Sequence, residues 1–300
     1  MIRLSMVGGT MIYHGKYFGR MYNGCDPEPW AKNGLGGDPT AGRRHDEARI
    51  VKVWDEKRDA AEALAAMCRI PQVCDRIEEC GEDVDAILFP DDCSRRHYRF
   101  AETLWATGLP MFIDKPLAVT VEEAEAVVAK AEKHGVPLFS ASGLQYTKEI
   151  EAAKPEIEKL GRILVAVAGS PNELIFYGIH GLAMLLQVYG PGIESAQNIG
   201  EGDVDVVKYR WRDGRLGVQL GLESGRPGWR VTLFGEKGKL DISVDDADYF
   251  YWNLNCHFLE MVKTRKQPLS NAEMLEIIKA LVAAKKSRIE DQGAVRGLGA

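Results

Sequence analysis

Residues 85–116, DAILFPDDCSRRHYRFAETLWATGLPMFIDKP, contain a strand, a helix and a second strand in direct succession. The apolar run at 86–89 stops at Pro90, and the run Met-Phe-Ile stops at Asp114 and Lys115. The segment between them has apolar residues on one stripe, which predicts a helix. Two buried strands joined by one helix indicate a right-handed crossover between parallel strands.

The first half of the chain repeats this alternation. Strands are predicted at IRLSMV, ARIVKVW and VPLFSAS, and helices at HGKYFGRMYNG, KRDAAEALAAMC and after Thr120. Near-continuous apolar strands are typical of a sheet buried on both faces, as in doubly wound nucleotide-binding domains. We assign residues 1–120 to such a dinucleotide-binding domain, although the change of pattern leaves the boundary open between residue 120 and residue 145. Residues 25–47 are rich in Gly and Pro and show no hydrophobic periodicity, so we predict a long loop there.

The second half of the chain has a different order of predicted elements. Its strands follow one another without helices, and VDVVKYRWRDGRLGVQLGLESG predicts a hairpin around Asp213 and Gly214. We therefore expect an α+β domain at 121–300 with a large open, mostly antiparallel sheet, for substrate binding and oligomerisation. A C-terminal helix with Ser270 and Glu273 as its capping box completes this domain or packs back on the first one.

The composition excludes several classes of protein. The 300 residues carry a net charge of -6, without the basic stripe that nucleic acid requires. No apolar run reaches membrane-spanning length, and the amino terminus lacks the apolar centre of a signal peptide. The six cysteines form no CxxC pair, so we expect no metal site. These features favour a cytoplasmic protein with reduced cysteines.

The segment VGGTMIYHG, residues 7–15, follows the first predicted strand. A dinucleotide fold places a tight glycine turn and a helix amino terminus here, which together bind pyrophosphate. Gly8 fits the first glycine of the G-x-G-x-x-G signature, whereas Thr10 and Tyr13 stand where the other two fall. A simple strand-to-helix turn is the alternative. The candidate cofactor-binding residues of this segment are Gly8, Gly9, Thr10, Tyr13 and His14.

Further candidates lie at the ends of the later strands. Asp55 would accept hydrogen bonds from the ribose hydroxyls and repel a 2′-phosphate, which favours NAD and makes NADP less favoured. Lys57 and Arg58 lie close enough to weaken that preference for NAD. The alternative for Asp55 is an ordinary strand end that faces solvent. Asp91 and Asp114 end two other strands at the edge where such sheets bind ligands.

Two basic side chains are candidates for proton transfer. Lys115 is either a strand end in solvent or a group held against a ligand. His180 lies at the beginning of an apolar helix predicted to start at His180 or Gly181. Histidine suits proton transfer near neutral pH, but a packed or capping histidine is an equal alternative at this point.

The chain resembles the Gfo/Idh/MocA oxidoreductases, named for glucose–fructose oxidoreductase and inositol dehydrogenase. The resemblance lies in VGGT, WDEKRDAAEALA, the long stretch from Asp85 to Val128 and GIHGLAMLLQVYG. Its most specific element is Asp114-Lys115-Pro116, where the family usually has Glu-Lys-Pro.

The resemblance implies a Rossmann domain followed by a domain with a large open sheet. It also implies NAD(P)-linked hydride transfer on a sugar, a cyclitol or a derivative, and a homo-oligomer, either a dimer or a tetramer. Lys115 would contact nicotinamide and substrate, with Asp114 and Pro116 beside the cofactor, and His180 would lie by the substrate carbon.

The chain departs from the family pattern at the expected substrate side. Phe176 replaces the aspartate that usually lies four residues before the histidine, and Gln145 and Tyr146 stand where an Asn-Arg pair is usual. The candidate substrate-binding residues are therefore Gln145, Tyr146, Phe176 and Tyr177.

Three functions remain open at this point. The first is a dehydrogenase or reductase with net consumption of the nicotinamide cofactor. The second is oxidation, elimination and reduction without net redox change, as in glycoside cleavage. The third is a binding module with an inactive site, against which the intact Lys115 and His180 argue.

Overall fold

The computed structural model describes residues 1–38, 40–92 and 94–291. The chain forms two compact units. The first comprises Met1–Ala118, Glu122–Ala141 and Tyr251–Asn271, and the second comprises Val119–Val121, Ser142–Phe250 and residues 272–291, within the described ranges. Segments 122–141 and 251–271, which the sequence assigned to the second domain, thus belong to the first unit.

The first unit is built on a six-stranded parallel sheet. Its strands are β1 (Ile2–Val7), β2 (Ala48–Trp54), β3 (Gln72–Val73), β4 (Ala86–Phe89), β5 (Met111–Ile113) and β6 (Leu138–Phe139). The helices of this part of the chain are α1 (Tyr13–Asn23), α2 (Pro27–Asn33), α3 (Arg58–Cys68), α4 (Ser94–Ala101) and α5 (Val121–His134). The strand order is β3-β2-β1-β4-β5-β6, and every neighbouring pair is parallel.

This order fixes where a ligand would bind. Every residue of β4 and β5 is buried, as expected for strands covered on both faces. The chain leaves β1 toward β2 and β3 on one side and resumes at β4 on the other side of β1. A doubly wound sheet binds its ligand at this switch point, beyond the carboxyl ends of the strands. The predicted parallel sheet is confirmed, and β6 extends it because it pairs with β5.

The prediction of a continuous loop at 25–47 is wrong. Helix α2 lies within it, and the Asp26 side chain accepts a hydrogen bond from the Glu28 N–H at 3.3 Å. Asp before Pro27 is a favoured helix start, because the cap satisfies a free N–H and proline needs none. Trp30, 3% exposed, anchors this short helix.

The single helix predicted between β4 and β5 is shorter than expected. Helix α4 ends at Ala101, and a separate 3₁₀ turn covers Trp105–Thr107. Gly108 ends that turn in the left-handed conformation at φ 66°, where glycine carries no Cβ penalty. The stop at Gly108 is therefore confirmed, although the helix before it is interrupted.

The second unit holds a six-stranded mixed sheet. Its strands are β7 (Ile163–Pro171), β8 (Ile193–Asn198), β9 (Val204–Trp211), β10 (Leu216–Leu222), β11 (Arg230–Gly235) and β12 (Gly238–Ser243). The remaining helices of the chain are α6 (Lys148–Ala152), α7 (Lys154–Lys159), α8 (Gly178–Tyr189), α9 (Ala247–Thr264) and α10 (Asn271–Asp291). The order is β12-β11-β7-β10-β9-β8.

The predicted open, mostly antiparallel sheet is confirmed. Strands β9 and β10 form the expected hairpin, and only β7 and β10 pair in parallel. Helix α8 begins at Gly178, two or three residues before the predicted start at His180 or Gly181. Strand β8 and helix α9 were not predicted. Within the described ranges, no helix combines the length and apolarity needed to cross a bilayer.

Candidate active site

The turn after β1 requires glycine. Gly8 and Gly9 have φ values of 69° and 58°, and a Cβ on Gly9 would lie 2.5 Å from the Cα of Asp91. Side chains are excluded because the turn lies directly against the end of β4. The sequence prediction placed Gly8 and Gly9 in this turn, and the structure does so too.

Gly15 performs the role that the sequence analysis looked for at Tyr13. A Cβ on Gly15 would lie 2.2 Å from the carbonyl oxygen of Gly9, so α1 approaches the turn too closely for any side chain. The third glycine of a dinucleotide signature serves this close packing of helix and turn. Tyr13 is 49% exposed and its ring stacks on Tyr17 at 5.5 Å. The signature is therefore displaced by two residues, which a fixed spacing does not detect.

Asp55 is tied to the glycine turn. The Thr10 backbone N–H and hydroxyl both donate to Asp55 Oδ2, at 3.1 and 2.8 Å. The Lys57 N–H donates to Asp55 Oδ1 at 3.1 Å. Thr10, fully buried, thus joins the end of β1 to the end of β2. These bonds hold the Asp55 carboxylate in one orientation, and its partly exposed position leaves it able to accept further hydrogen bonds.

Asp91 follows β4 and is 1% exposed. Its Oδ1 accepts a hydrogen bond from Arg96 Nη2 at 2.7 Å, and His97 Nε2 lies within hydrogen-bond distance of its carbonyl oxygen. Asp91 thereby connects the end of β4 to α4 while its backbone borders Gly9.

His14 and Asp114 contact each other. His14 Nδ1 lies 2.6 Å from Asp114 Oδ2, and His14 Nε2 lies 3.0 Å from the Tyr251 hydroxyl. Asp114 is 1% and His14 8% exposed. The His14 ring also stacks on Phe18 at 5.5 Å. The predicted cofactor residues His14 and Asp114 thus form a buried chain that ends at Tyr251, a residue the sequence analysis did not single out.

His14→Leu should destabilise the first unit by about 3 kcal/mol, because a buried carboxylate would lose its partner. The other oxygen of Asp114, Oδ1, has no hydrogen-bond partner among the residues that the structure describes. Urea unfolding measures the change. Tyr251→Phe is the matched control, since it removes the hydroxyl at 3.0 Å from His14 Nε2, keeps the His14–Asp114 bond and should cost about 1 kcal/mol. Equal losses from both variants would contradict a dominant His14–Asp114 bond.

Lys115 lies at the carboxyl end of β5, and a cis peptide bond joins it to Pro116. It is 4% exposed. Burial lowers the pKa of the Lys115 ammonium, and the negative charges of Asp114 and Asp92 oppose this shift only in part. A buried lysine whose proton is lost more easily than usual can exchange protons with a ligand. The alternative of a strand end in solvent is wrong.

His180 lies in the first turn of α8 in the second unit and is 7% exposed. Its Nδ1 lies 2.7 Å from the Ser142 hydroxyl oxygen. The rings of Trp229 and Tyr177 meet the imidazole edge-on, with centroids 5.1 and 5.8 Å away. Ser142 and Trp229 were not predicted, because neither lies in a motif with His180.

The other predicted substrate residues also lie in the second unit. Phe176 is half-buried in the segment before α8, its N–H donates to Glu173 Oε2 at 2.8 Å, and its ring meets Tyr177 at 5.4 Å. Gln145 ends a 3₁₀ turn at Gly143–Gln145. Burial raises the pKa of Tyr146, which follows it.

Comparison with known families agrees with this architecture. Residues 34–142 match the model of the Gfo/Idh/MocA family, described as an oxidoreductase family with an NAD-binding Rossmann fold. The predicted resemblance to the Gfo/Idh/MocA family is confirmed. The NAD-binding description of this family also confirms the predicted cofactor. The Gfo/Idh/MocA match begins after β1, so the displaced glycine turn lies outside it.

Individual relatives are distant. The uncharacterised protein YMR315W of Saccharomyces cerevisiae is 24% identical over 137 residues, which are 43% of this chain and 38% of that protein. The chain therefore matches well under half of the length of this curated relative.

Solved structures with the same fold cover nearly the whole chain. One, from Thermotoga maritima, is described as a probable dehydrogenase, with TM-score 0.77, 18% identity and 97% of both chains covered. Another is myo-inositol dehydrogenase from Lactobacillus casei with NAD(H) and myo-inositol, with TM-score 0.74, 18% identity and coverage of 97% and 95%. A third is UDP-N-acetylglucosamine 3-dehydrogenase from Acidithiobacillus ferrooxidans, with TM-score 0.72, 15% identity and coverage of 95% of this chain and 97% of that one. At such low sequence identities, these solved structures show that the chain shares their fold and nothing more.

Proposed function

We propose that this chain is an NAD-dependent oxidoreductase that transfers hydride between nicotinamide and a hydroxyl-bearing carbon of a sugar, a cyclitol or a derivative. The observation that carries the proposal is the buried Lys115 at the carboxyl end of β5, within the segment that matches an NAD-binding oxidoreductase family. A buried ammonium group is costly, and a buried lysine with a lowered pKa at the ligand-binding edge of a sheet is a candidate functional group.

The first unit fits a dinucleotide. The turn at Gly8 and Gly9 and the close approach of Gly15 leave backbone where side chains would otherwise stand. The amino terminus of α1 follows this turn, and a helix amino terminus favours an anionic group. Thr10 holds the Asp55 carboxylate in one orientation, which supports its proposed role as an acceptor for ribose hydroxyls. We therefore assign Gly8, Gly9 and Asp55 to NAD binding, and Gly15 to the packing that shapes the turn.

We propose Lys115 and His180 as the acid–base groups, as the family resemblance implies. Bound NAD would supply a hydride acceptor when an alcohol is oxidised. The alcohol must also lose its hydroxyl proton, and a neutral Lys115 amine can take it. Burial supports this role, because it lowers the pKa of Lys115 and so raises the neutral fraction near physiological pH.

The proposed substrate class rests on the family and on the residues near His180. Inositol and sugar dehydrogenases share this fold. The rings of Tyr177 and Trp229 contact the His180 imidazole. Phe176, where the family usually has a carboxylate, packs on Tyr177. Such an aromatic surface suits a substrate with one apolar or aglycone-like face better than a fully hydroxylated one.

Absorbance at the reduced-nicotinamide band tests the reaction. We expect a steady increase when the protein is mixed with NAD and a panel of cyclitols, sugars and alkyl or aryl glycosides. A released aglycone without a net absorbance change would instead support oxidation, elimination and reduction. NAD binding without turnover of any panel member or release of any aglycone would support an inactive binding module and contradict the proposal.

NAD should bind at least about tenfold more tightly than NADP, a difference of ~1.4 kcal/mol. The Asp55 carboxylate is held in place by Thr10 and would face the 2′-phosphate of NADP, and like charges at close range repel. Calorimetry with both cofactors measures the ratio. Asp55→Asn should reduce the preference. Tighter binding of NADP would show that Lys57 or Arg58 determines the choice.

A homo-oligomer remains a prediction. It rests on the open sheet of the second unit and on the resemblance to the family, and light scattering can test it. Cytoplasmic location is likewise a prediction from the sequence.

A further inference from the structure

The bond between Ser142 and His180 constrains the chemistry of the imidazole. Ser142 is 2% exposed and precedes the 3₁₀ turn at Gly143–Gln145. Its oxygen accepts a hydrogen bond from the Leu144 N–H at 3.1 Å, which caps that turn. The same oxygen lies 2.7 Å from His180 Nδ1. One hydroxyl therefore serves both a backbone cap and a histidine.

Counting donors and acceptors gives the direction of the second bond. A serine hydroxyl has one hydrogen to donate and two lone pairs to accept with. Leu144 takes one lone pair. Among residues 1–38, 40–92 and 94–291, His180 Nδ1 is the only hydrogen-bond acceptor in reach of the Ser142 hydrogen.

The opposite direction leaves a donor unsatisfied. If Nδ1–H donated to Ser142, both lone pairs would be occupied and the hydroxyl hydrogen would be buried without an acceptor. A buried unsatisfied donor costs about 1–3 kcal/mol. The favoured arrangement is therefore Leu144 N–H to Ser142, and Ser142 O–H to His180 Nδ1.

The imidazole plane is held from its sides as well. Trp229 and Tyr177 meet it edge-on at interplanar angles of 66° and 75°. Flanking rings in these positions oppose a flip of the imidazole about χ2, which would exchange the positions of Nδ1 and Cδ2. The Ser142 hydroxyl therefore stays within hydrogen-bond distance of His180 Nδ1.

We propose that Ser142 fixes neutral His180 in the tautomer that carries its proton on Nε2, so that His180 donates a hydrogen bond to the substrate oxygen. Ser142 is a positioning residue in this scheme. The proposal rests on the proposed function, and it divides the work between the two basic groups. If bound NAD supplied the hydride acceptor, the neutral Lys115 amine would take the hydroxyl proton of the alcohol, and His180 would keep its own proton on Nε2.

The replacement at Phe176 agrees with this division. A carboxylate beside a histidine favours the tautomer with a proton facing that carboxylate, or the imidazolium. Phenylalanine provides neither influence. The Ser142 hydroxyl then favours the tautomer with its proton on Nε2, so within the proposed acid–base pair Lys115 is the base and His180 is the proton-donating group.

Nitrogen NMR on histidine-labelled protein tests the tautomer without NAD or substrate. The chain has six histidines, and a His180→Gln variant identifies the signals of His180. At about pH 8.5, where an ordinary imidazole is neutral, we expect a pyridine-like Nδ1 and a pyrrole-like Nε2. Pyrrole-like Nδ1 in the wild-type protein would overturn the proposal, whatever the variants show.

Variants of Ser142 test whether this residue causes the tautomer preference of His180. Ser142→Ala should move the Nδ1 signal away from its pyridine-like position, and Ser142→Thr should restore it. Thr147→Val is the matched control, because it removes a buried hydroxyl that donates to Gln187 Oε1 at 2.7 Å in the same segment. It should leave the His180 signals unchanged. An unchanged spectrum in folded Ser142→Ala would contradict the role of Ser142, whereas failure of NAD to bind would contradict only the proposed function.

Discussion

Lys115→Met should lower the rate of hydride transfer by roughly 10²- to 10⁴-fold, the usual cost of losing a positioned acid–base group. Methionine fills similar space and has no proton to exchange. The side chain is buried at the end of β5, so the loss should appear in turnover while NAD binding persists. The assay is absorbance at the reduced-nicotinamide band, with the panel substrate that the wild-type protein oxidises fastest.

The pH profile adds a second test of Lys115. Because burial lowers its pKa, oxidation by the wild-type protein should increase with pH and level off below the ordinary lysine value of about 10.4. Lys133→Met is the control, since Lys133 is exposed in the last turn of α5. If Lys115→Met retained both the rate and this profile, Lys115 would be a structural strand end.

Gly15→Ala should weaken NAD binding by at least about tenfold, or ~1.4 kcal/mol. The new Cβ would lie 2.2 Å from the Gly9 carbonyl oxygen, so α1 and the turn must move apart. Backbone atoms cannot move aside as a flexible side chain can. We also expect a loss of about 1–3 kcal/mol in the free energy of unfolding, as for other overpacked sites.

Gly19→Ala separates these two effects. Gly19 lies on the same helix, and its Cβ would lie 2.9 Å from Cys68 Sγ, away from the turn. This variant should lower stability while the folded protein keeps its NAD affinity. Calorimetry with NAD and urea unfolding measure both quantities for each variant. Equal NAD affinity in the Gly15→Ala and wild-type proteins would show that the approach of α1 does not shape the cofactor site.

The sequence predicts the sheet well because its signal is local. Apolar runs such as those of β4 and β5 end at a proline or a charged residue, so the strands and their carboxyl ends can be recognised one at a time. Asp55, Asp91, Asp114 and Lys115 were placed at those ends, and they do lie there.

The connections within the site could not be predicted in the same way. His14 and Asp114 are separated by 100 residues, and Ser142 and His180 by 38. Their bonds depend on side-chain positions after folding. The role of Gly15 also depends on how closely α1 approaches the turn, and not on a fixed spacing of glycines. Helix α2 is different, because Asp26 before Pro27 is a local signal for a helix start, although the glycines and prolines of residues 25–47 favour a loop.

The division into units also depends on tertiary contacts. The sequence suggested a domain boundary near residue 120 or 145, and the pairing of β6 with β5 puts the segment between these positions with the first sheet. Segment 251–271 belongs to the same unit, where Tyr251 bonds to His14. The functional roles assigned to the two domains remain predictions.

Calorimetric titration of the full chain with NAD tests the central claim most directly, because it needs no knowledge of the substrate. We expect saturable binding of one NAD per chain, weaker binding in Gly15→Ala and a reduced preference over NADP in Asp55→Asn. Absence of binding heat at millimolar NAD, confirmed by an unchanged melting temperature, would contradict the claim that this chain is an NAD-dependent oxidoreductase.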